Sequence, residues 1–265
     1  MEFGISEDIV KVKYGKIQLL VKRSELFVFY ATFITNEYYR LKIRPRDTVL
    51  DFGANIGDFT IKAAKQLNGT GRVIAVEPNH KNVELLKRNI ELNHINNVEI
   101  YEYAVTDKNG YSYLQGDSVG ATVIEDNSKT KVKTITIGDL LSQLNNPTNL
   151  VIKMDIEGGE KYAFENTKFI NDIREISIEL HGKENIRNIS MILSKHNFII
   201  NEYTIYDEIK NTLKSIILHP LDFIRCERST GHIAIKGLIG AIRGANPVPA
   251  MGGNELMLIY AYRRR

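Results

Sequence analysis

The sequence predicts an α/β protein built on a doubly wound, mostly parallel sheet of seven strands. From residue 46 onward, buried-strand stretches alternate with amphipathic helical stretches, and glycine or polar turns separate them. The 265 residues suffice for one such domain with an insertion, but not for several large domains. We therefore assign residues 1–45 to an N-terminal extension and 46–265 to the main domain, with an insertion at 206–255.

The predicted elements follow one another in a regular order. Strands are predicted at 48–52, 72–77, 98–105, 150–155, 174–180, 198–205 and 256–262. Helices are predicted at 60–67, 82–93, 137–144 and 184–196. The N-terminal extension is predicted to hold a hairpin with strands at 10–12 and 18–21, and a further strand at 27–30.

Composition indicates a globular, cytoplasmic protein. The 35 basic residues exceed the 32 acidic ones by only three, too small a surplus to indicate a nucleic-acid partner. No apolar stretch is long enough to cross a bilayer, and the first residues lack the pattern of a signal peptide. The single cysteine, Cys226, excludes an intramolecular disulfide framework and a multi-cysteine zinc site.

The insertion at 206–255 has two interpretations. Its prolines and glycines are compatible with a cap over the active site and with a poorly ordered loop. Within it, four apolar residues recur at helical spacing: Ile209, Leu213, Ile216 and Ile217. Such a stripe is typical of packing against the core, and contact with a membrane surface or a second subunit is the alternative.

The turn after the first strand of the main domain carries the strongest local signal, VLDFGANIG at residues 49–57. Gly53 and Gly57 have no Cβ, so the backbone can approach a ligand closely, and a helix N-terminus follows. Two glycines four residues apart do not make the dinucleotide-binding fingerprint, and Asp51 would repel a pyrophosphate. An acidic residue here suits the ammonium group of S-adenosylmethionine better than NAD.

Acidic residues also follow the second and third strands. Glu77 ends the second strand, where a carboxylate can accept hydrogen bonds from both ribose hydroxyls of a nucleoside. Asp107 has two interpretations: contact with an adenine amino group, or a turn residue ahead of Asn109 and Gly110.

The fourth and fifth strands end in groups suited to proton transfer. If the chain stays extended, Asp155 and Glu157 project to the same side, where they can orient a hydroxyl and take its proton. His181 suits a general base. Glu179 shares its side of the strand, where it can orient His181 or pair with a nearby Lys or Arg. Glu160 is expected to favour the start of the next helix.

Three segments together resemble the FkbM family of S-adenosylmethionine-dependent methyltransferases over residues 35–205. They are VLDFGANIGDFT, VIAVEPNHKNVELLKRNIELN and VIKMDIEGGEKYAF. The resemblance implies the Rossmann-like fold of class I methyltransferases and O-methylation of sugars, polyketides or related metabolites. It also implies a binding set for the methionine end of the cofactor: Asp51, Gly53, Ala54, Asn55 and Gly57. Glu77 would hold the ribose, and Pro78, Asn79, Ala104 and Val105 would border the adenine.

We therefore expect an O-methyltransferase that acts on a small molecule or glycan, with Asp155, Glu157 and His181 as its catalytic residues. One alternative is an RNA methyltransferase, disfavoured because the acidic sheet edge would repel phosphates and no Asn-Pro-Pro-Tyr-like motif follows the fourth strand. Another is a module that binds S-adenosylmethionine without transferring its methyl group. Asp155, Glu157, Glu179 and His181 also match the ligand types of Mg²⁺ or Mn²⁺, although no spacing demands a metal.

Overall fold

The computed structural model describes residues 8–115, 122–124, 130–219 and 256–263. The chain begins with the predicted antiparallel hairpin, formed by β1 (Ile9–Tyr14) and β2 (Ile17–Lys22). Side-chain amides of a later helix hold this hairpin to the main domain. Asn89 accepts a hydrogen bond from the Leu20 N–H (2.7 Å) and donates one to the Leu20 carbonyl (3.0 Å).

The predicted strand at 27–30 is wrong, because this stretch is helical. A short 3-10 turn leads into α1 (Leu26–Phe29) and then into a π-helix at Tyr30–Thr35. The buried residues recur at helical spacing: Leu26, Phe29, Tyr30, Phe33 and Ile34. The short apolar run suggested a strand, but the wider spacing carries the helical period.

All seven predicted strands of the main sheet are present. They are β3 (Thr48–Phe52), β4 (Arg72–Val76), β5 (Val98–Tyr101), β10 (Leu150–Met154), β11 (Ile173–His181), β12 (Phe198–Glu202) and β13 (Leu256–Arg263). Their order in the sheet is β12–β13–β11–β10–β3–β4–β5. β13 pairs antiparallel with both β11 and β12, and the other neighbouring strands pair in parallel. The sheet is therefore mostly parallel, as predicted.

The helices are α2 (Asp58–Leu67), α3 (His80–Leu92), α4 (Ile137–Gln143), α5 (Glu160–Ala163), α6 (Lys183–Lys195) and α7 (Ile205–Leu218). Successive residues of each central strand point to opposite faces of the sheet. Leu50 and Ile152 join one buried cluster, whereas Val49 and Val151 join another. The sheet is therefore covered on both faces, which confirms the doubly wound fold.

The predicted third strand, 98–105, is two separate strands. β5 ends at Tyr101, and β6 (Ala104–Val105) belongs to a second sheet that the sequence analysis did not predict. This sheet has the order β6–β9–β7–β8, with β7 (Gly110–Gln115), β8 (Thr122–Ile124) and β9 (Thr130–Ile135). It buries a small cluster of Ala104, Leu114 and Val132, and so few apolar residues leave a weak alternation signal.

The segment 206–255 begins as α7, and its residues 220–255 lie outside the described residues. The choice between a cap and a loop therefore remains a prediction. The predicted packing of the apolar stripe on the core is wrong for Leu213 and Ile217, which are 48% and 76% exposed, whereas Ile209 and Ile216 are half-buried. The buried face of α7 is polar instead: Asp207, Glu208, Asn211, Thr212 and Ser215. Among the described helices, none combines the length and apolar character required to cross a membrane.

Candidate active site

The candidate site lies at the topological switch point of the sheet, where the strand order reverses. β3 and β10 are parallel neighbours at the centre, and the chain runs outward from β3 to β4 and β5 before it returns to β10. Open α/β sheets bind ligands outside the carboxyl ends of the strands at such a point. The turn after β3, Glu77 after β4 and Asp155 after β10 all lie at this edge.

The turn after β3 is in direct contact with the turn after β10. The Asp155 N–H donates to the Phe52 carbonyl (3.0 Å), and a Cβ added to Gly53 would lie 1.7 Å from the Asp155 carbonyl oxygen. Gly53 also has a φ of 73°, which disfavours other residues. The Gly53 and Ala54 N–H groups both donate to the Val76 carbonyl (3.0 Å each), which fixes the turn against β4. Position 53 therefore requires glycine because of its backbone conformation and its contact with Asp155.

Gly57 is constrained in a similar way, at the start of α2. Its φ is 86°, and an added Cβ would lie 2.1 Å from Cδ1 of Leu86 in α3. Asn55, between the two glycines, also has a positive φ of 48°, and its Oδ1 is buried without a hydrogen-bond partner among the described residues.

Asp51 is fully buried beside a lysine that the sequence analysis did not select. Parallel pairing places Lys153 of β10 opposite Asp51 of β3, and their charged atoms, Nζ and Oδ1, are 3.4 Å apart. Thr60 donates a hydrogen bond to Oδ2 of Asp51 (2.5 Å), and Lys153 donates another to the Gly53 carbonyl (2.6 Å). Burial raises the pKa of Asp51, and Lys153 and Thr60 oppose that increase. Only the pairing register of β3 and β10, which are far apart in the sequence, brings Asp51 and Lys153 together.

Glu77 connects the turn after β3 to the start of α3. Its Oε2 accepts from the Asn55 N–H (2.9 Å), and its Oε1 accepts from the Asn79 N–H (3.0 Å) and from Nδ2 of Asn82 (3.2 Å). Burial raises the pKa of Glu77, and these donors oppose the increase because they stabilise the carboxylate.

The residues predicted to border the adenine lie beyond Glu77. Pro78 is half-buried, and Asn79 caps α3 by accepting a hydrogen bond from the Lys81 N–H (3.0 Å). Ala104 and Val105 are buried in β6, which follows β5 in the chain. Asp107, for which two roles were predicted, borders a cavity of about 200 Å³ whose lining includes Tyr162.

The acidic residues after β10 meet His181 at the end of β11. The condition of an extended chain is not met, since β10 ends at Met154 and Glu157 has a φ of 53° in a turn. The turn nevertheless brings one ligand atom each of Asp155, Glu157 and His181 within 4.8 Å of one another. Oε2 of Glu157 lies 3.2 Å and Oε1 of Glu179 3.8 Å from Nε2 of His181.

Glu160 orients the His181 ring. Its Oε1 lies 3.1 Å from Nδ1 of His181 and accepts from the Gly158 N–H (3.1 Å), and its Oε2 accepts from Nδ2 of Asn185 (3.2 Å). Glu160 is the first residue of α5, as expected, but it is completely buried and contacts the histidine. Glu179, for which an orienting role was one of two predicted possibilities, lies farther from the ring.

Carboxylates dominate the electrostatics of this cluster. Burial alone would lower the pKa of His181, but Glu157 and Glu160 raise it to about 11. Burial raises the pKa of Asp155 to about 6, although the charge of Lys153 opposes the increase. Burial and the negative charge of Asp155 also raise the pKa of Glu179 well above its usual value.

Glu37 is a further acidic residue near the site that no sequence pattern marked. Its pKa is raised to about 8, first by burial and then by the negative charges of Glu208, Asp155 and Asp58. The neighbouring Tyr38 ring packs on Phe59, with centroids 5.1 Å apart. The segment that precedes β3 therefore contributes an additional carboxyl group to this edge of the sheet.

A cavity of about 1260 Å³ lies away from these residues. Its lining includes Arg44, Asn149 and Asp172, which precede β3, β10 and β11, and it contains none of the predicted site residues. Position at the carboxyl ends of the strands and convergence of acidic side chains identify the candidate site better than cavity size does.

Comparison with known proteins identifies the family. The model of the methyltransferase FkbM domain matches residues 51–200, whereas no curated protein sequence matches the chain significantly. A methyltransferase FkbM from Methylobacillus flagellatus KT superposes with a TM-score of 0.53 at 15% identity, covering 88% of this chain and 48% of that one. This chain thus spans about half the length of that protein.

Two other solved structures are similar at lower scores. A SAM-dependent O-methyltransferase from Thermotoga maritima has a TM-score of 0.45 at 11% identity, covering 94% of this chain and 74% of that one. TYW2 from M. jannaschii, in complex with AdoMet, has a TM-score of 0.44 at 12% identity, covering 98% and 87%. The family match extends over more than half of the residues and includes the turn after β3, so the chain belongs to the FkbM methyltransferase domain family and has the class I methyltransferase fold.

Proposed function

We propose that this chain transfers the methyl group of S-adenosylmethionine to a hydroxyl of a sugar, glycan or small metabolite. The observation that carries the proposal is the contact between Gly53 and Asp155. It places a turn suited to the cofactor directly beside a cluster of side chains suited to a hydroxyl acceptor.

The residues around the turn fit the cofactor. Oδ1 of Asn55 is a buried acceptor with no hydrogen-bond partner in the described parts of the chain, and an ammonium group is a donor for it. Oδ1 of Asp51, which lies 3.4 Å from Nζ of Lys153, adds negative charge beneath the same turn. We assign the methionine end to Asp51, Gly53, Ala54, Asn55 and Gly57. Glu77 would hold the ribose hydroxyls, and Pro78, Asn79, Ala104 and Val105 would border the adenine.

S-adenosylmethionine supplies a methyl group that is electrophilic because it is bonded to a positively charged sulfur. The acceptor oxygen loses its proton as it becomes methylated, and an alkyl hydroxyl is too weak an acid to do so unaided. We assign the acceptance of this proton to the carboxylate of Asp155. Glu157 and His181 lie within reach of the same point, where they can hydrogen-bond the acceptor and hold it in place.

The charge of the site favours an acceptor without phosphate groups. Asp155, Glu157 and Glu160 contribute three carboxyl groups at this edge, which outnumber the single charge of His181, and the charge of Lys153 is matched by Asp51. Acidic groups repel the backbone of RNA, whereas the hydroxyls of sugars are good partners for carboxylates.

Two measurements test the proposal. Thermal unfolding is recorded with S-adenosylmethionine, S-adenosylhomocysteine or NAD, and we expect the first two to raise the melting temperature because they bind the native state. The transfer of labelled methyl groups is then measured with oligosaccharides, small hydroxylated metabolites and RNA. Stabilisation by NAD alone would contradict the cofactor, and label in RNA but in no hydroxylated small molecule would contradict the acceptor class.

A further inference from the structure

Two buried carboxylate oxygens without hydrogen-bond partners lie at the candidate site, beside His181. They are Oδ1 of Asp155 and Oε1 of Glu179, neither of which has a hydrogen-bond partner among the described residues. Nε2 of His181 lies 3.2 Å from Oε2 of Glu157 and 3.8 Å from Oε1 of Glu179. Glu179 is only 7% exposed, so water satisfies little of its carboxylate. Buried polar groups are nearly always hydrogen-bonded, and two unpaired carboxylate oxygens close to the same histidine suit a bound cation.

The spacing of the atoms suits a single ion. One ligand atom each of Asp155, Glu157 and His181 lies within 4.8 Å of the other two, and Oε1 of Glu179 is 3.8 Å from Nε2 of His181. Two ligands at about 2.0–2.5 Å from a common cation are separated by about 3–5 Å, depending on the angle between them. Asp155, Glu157 and His181 therefore surround one point without rearrangement of the backbone, and Glu179 lies beside His181.

The histidine is held in the orientation that a metal ligand needs. Glu160 lies at Nδ1 of His181, which leaves Nε2 directed toward Glu157 and Glu179. Metal-binding histidines commonly donate their second ring N–H to a carboxylate in this way. Glu160 is itself fixed by the Gly158 N–H and by Asn185, so the ring has little freedom to turn.

The backbone conformation of Glu157 is a separate observation that agrees with such a site. Its φ of 53° lies in the left-handed region, which is unfavourable for glutamate. Backbone strain of this kind persists where the surrounding structure determines it, and it is concentrated at ligand-binding and catalytic sites. Here the strained turn directs the Glu157 carboxylate toward His181.

We propose that Asp155, Glu157 and His181 bind one divalent cation beside Glu179. Two carboxylates and one imidazole, with a third carboxyl group nearby, suit Mn²⁺ or Mg²⁺ better than the metals that prefer thiolates. The role of the ion rests on the proposed function: it would bind the acceptor oxygen and lower its pKa, so that the acceptor loses its proton more readily. The binding of the ion itself does not depend on that function.

The test uses Mn²⁺ alone on the full chain after treatment with a chelator. Free Mn²⁺ is followed by electron paramagnetic resonance, and we expect one ion bound per chain. Asp155→Asn and Glu157→Gln each remove a ligand charge and should weaken binding at least tenfold. Glu84→Gln is the matched control, because Glu84 is an exposed carboxylate that pairs with Lys87 away from the site.

The outcomes distinguish the binding of the ion from the transfer of the methyl group. Lack of Mn²⁺ binding by the wild-type chain at millimolar concentration overturns the site, as does equal binding by the wild type and both site variants. Circular dichroism of each variant shows whether a loss of binding follows from unfolding, and the wild-type measurement stands in either case. A chain that binds Mn²⁺ at these residues but methylates no acceptor supports the ion site and contradicts the proposed function.

Discussion

The carbonyl oxygen of Asp155 occupies the space beside Gly53 where any other residue would place its Cβ. An added Cβ would lie 1.7 Å from this oxygen, and the Asp155 N–H also donates to the Phe52 carbonyl (3.0 Å). The turn that we assign to the cofactor and the turn that carries the candidate base are therefore one packed unit. A change in either turn displaces the other.

Gly53→Ala is expected to destabilise the protein by about 2–5 kcal/mol. Of this, a left-handed backbone costs roughly 1–2 kcal/mol for a residue with a Cβ, and overpacking adds about 1–3 kcal/mol. Gly69→Ala is a matched control, because Gly69 has nearly the same φ (75°) but no atom within 4 Å of the added Cβ. Urea denaturation of both variants measures the difference. Equal losses of stability would show that the contact with Asp155 does not matter.

Glu77→Gln is expected to weaken the binding of S-adenosylmethionine about tenfold or more. The carboxylate accepts from the Asn55 and Asn79 N–H groups, and the substitution replaces an acceptor oxygen by an NH₂ group that cannot accept. Isothermal titration calorimetry measures the affinity. Glu99→Gln is the control, since Glu99 lies on the adjacent strand β5 and pairs with Arg72 at the surface. An unchanged affinity in Glu77→Gln would remove Glu77 from the cofactor site.

Asp155→Asn is expected to leave the affinity for S-adenosylmethionine within a few-fold of wild type and to lower the turnover by about 10²–10⁴. The substitution keeps the shape of the side chain but removes the base, and general base catalysis typically contributes a factor of this size. Single-turnover transfer of labelled methyl and titration calorimetry separate the two effects. A variant that retains wild-type turnover would show that Asp155 is not the proton acceptor.

The positions of the site residues could be predicted because they follow strands. Asp51, Glu77, Asp155 and His181 each lie at or next to the end of a parallel strand, and such ends meet at one edge of a sheet. The contacts among side chains could not be predicted in this way. Lys153 reaches Asp51 only through the register of β3 and β10, and Glu160 reaches His181 only because the chain turns after Met154.

The orientation of α7 could not be predicted from its apolar spacing. Apolar spacing predicted that Leu213 and Ile217 would face the core, yet the buried face carries polar groups that hydrogen-bond other parts of the chain. Asp207 accepts from Tyr39 (2.5 Å), and Ser215 donates to the Ile34 carbonyl (2.8 Å). Helical periodicity identifies the helix but not its partner, and here the partner is the end of a π-helix with carbonyls to satisfy.

Glu208 on this buried face makes the stability depend on pH. Glu208 is 3% exposed, its Oε2 has no hydrogen-bond partner within the described residues, and burial raises its pKa from 4.5 to about 7. A raised pKa means that the folded state holds this proton longer than the unfolded state does. The free energy of unfolding should therefore fall as the pH rises from about 4.5 to 7, and the contribution of Glu208 should be constant above that range.

Glu208→Gln is expected to remove this part of the pH dependence and to stabilise the protein at pH 8 by about 1–2 kcal/mol. This is less than the roughly 3 kcal/mol that the full shift would give, because hydration screens part of it. Glu37 acts in the same direction, because burial and then the negative charge of Glu208 raise its pKa to about 8, and the substitution removes that charge. Urea denaturation at pH 5 and pH 8 measures the change, with the exposed Glu202→Gln as control. If Glu208→Gln loses as much stability as the wild type between these two pH values, Glu208 is not the residue responsible.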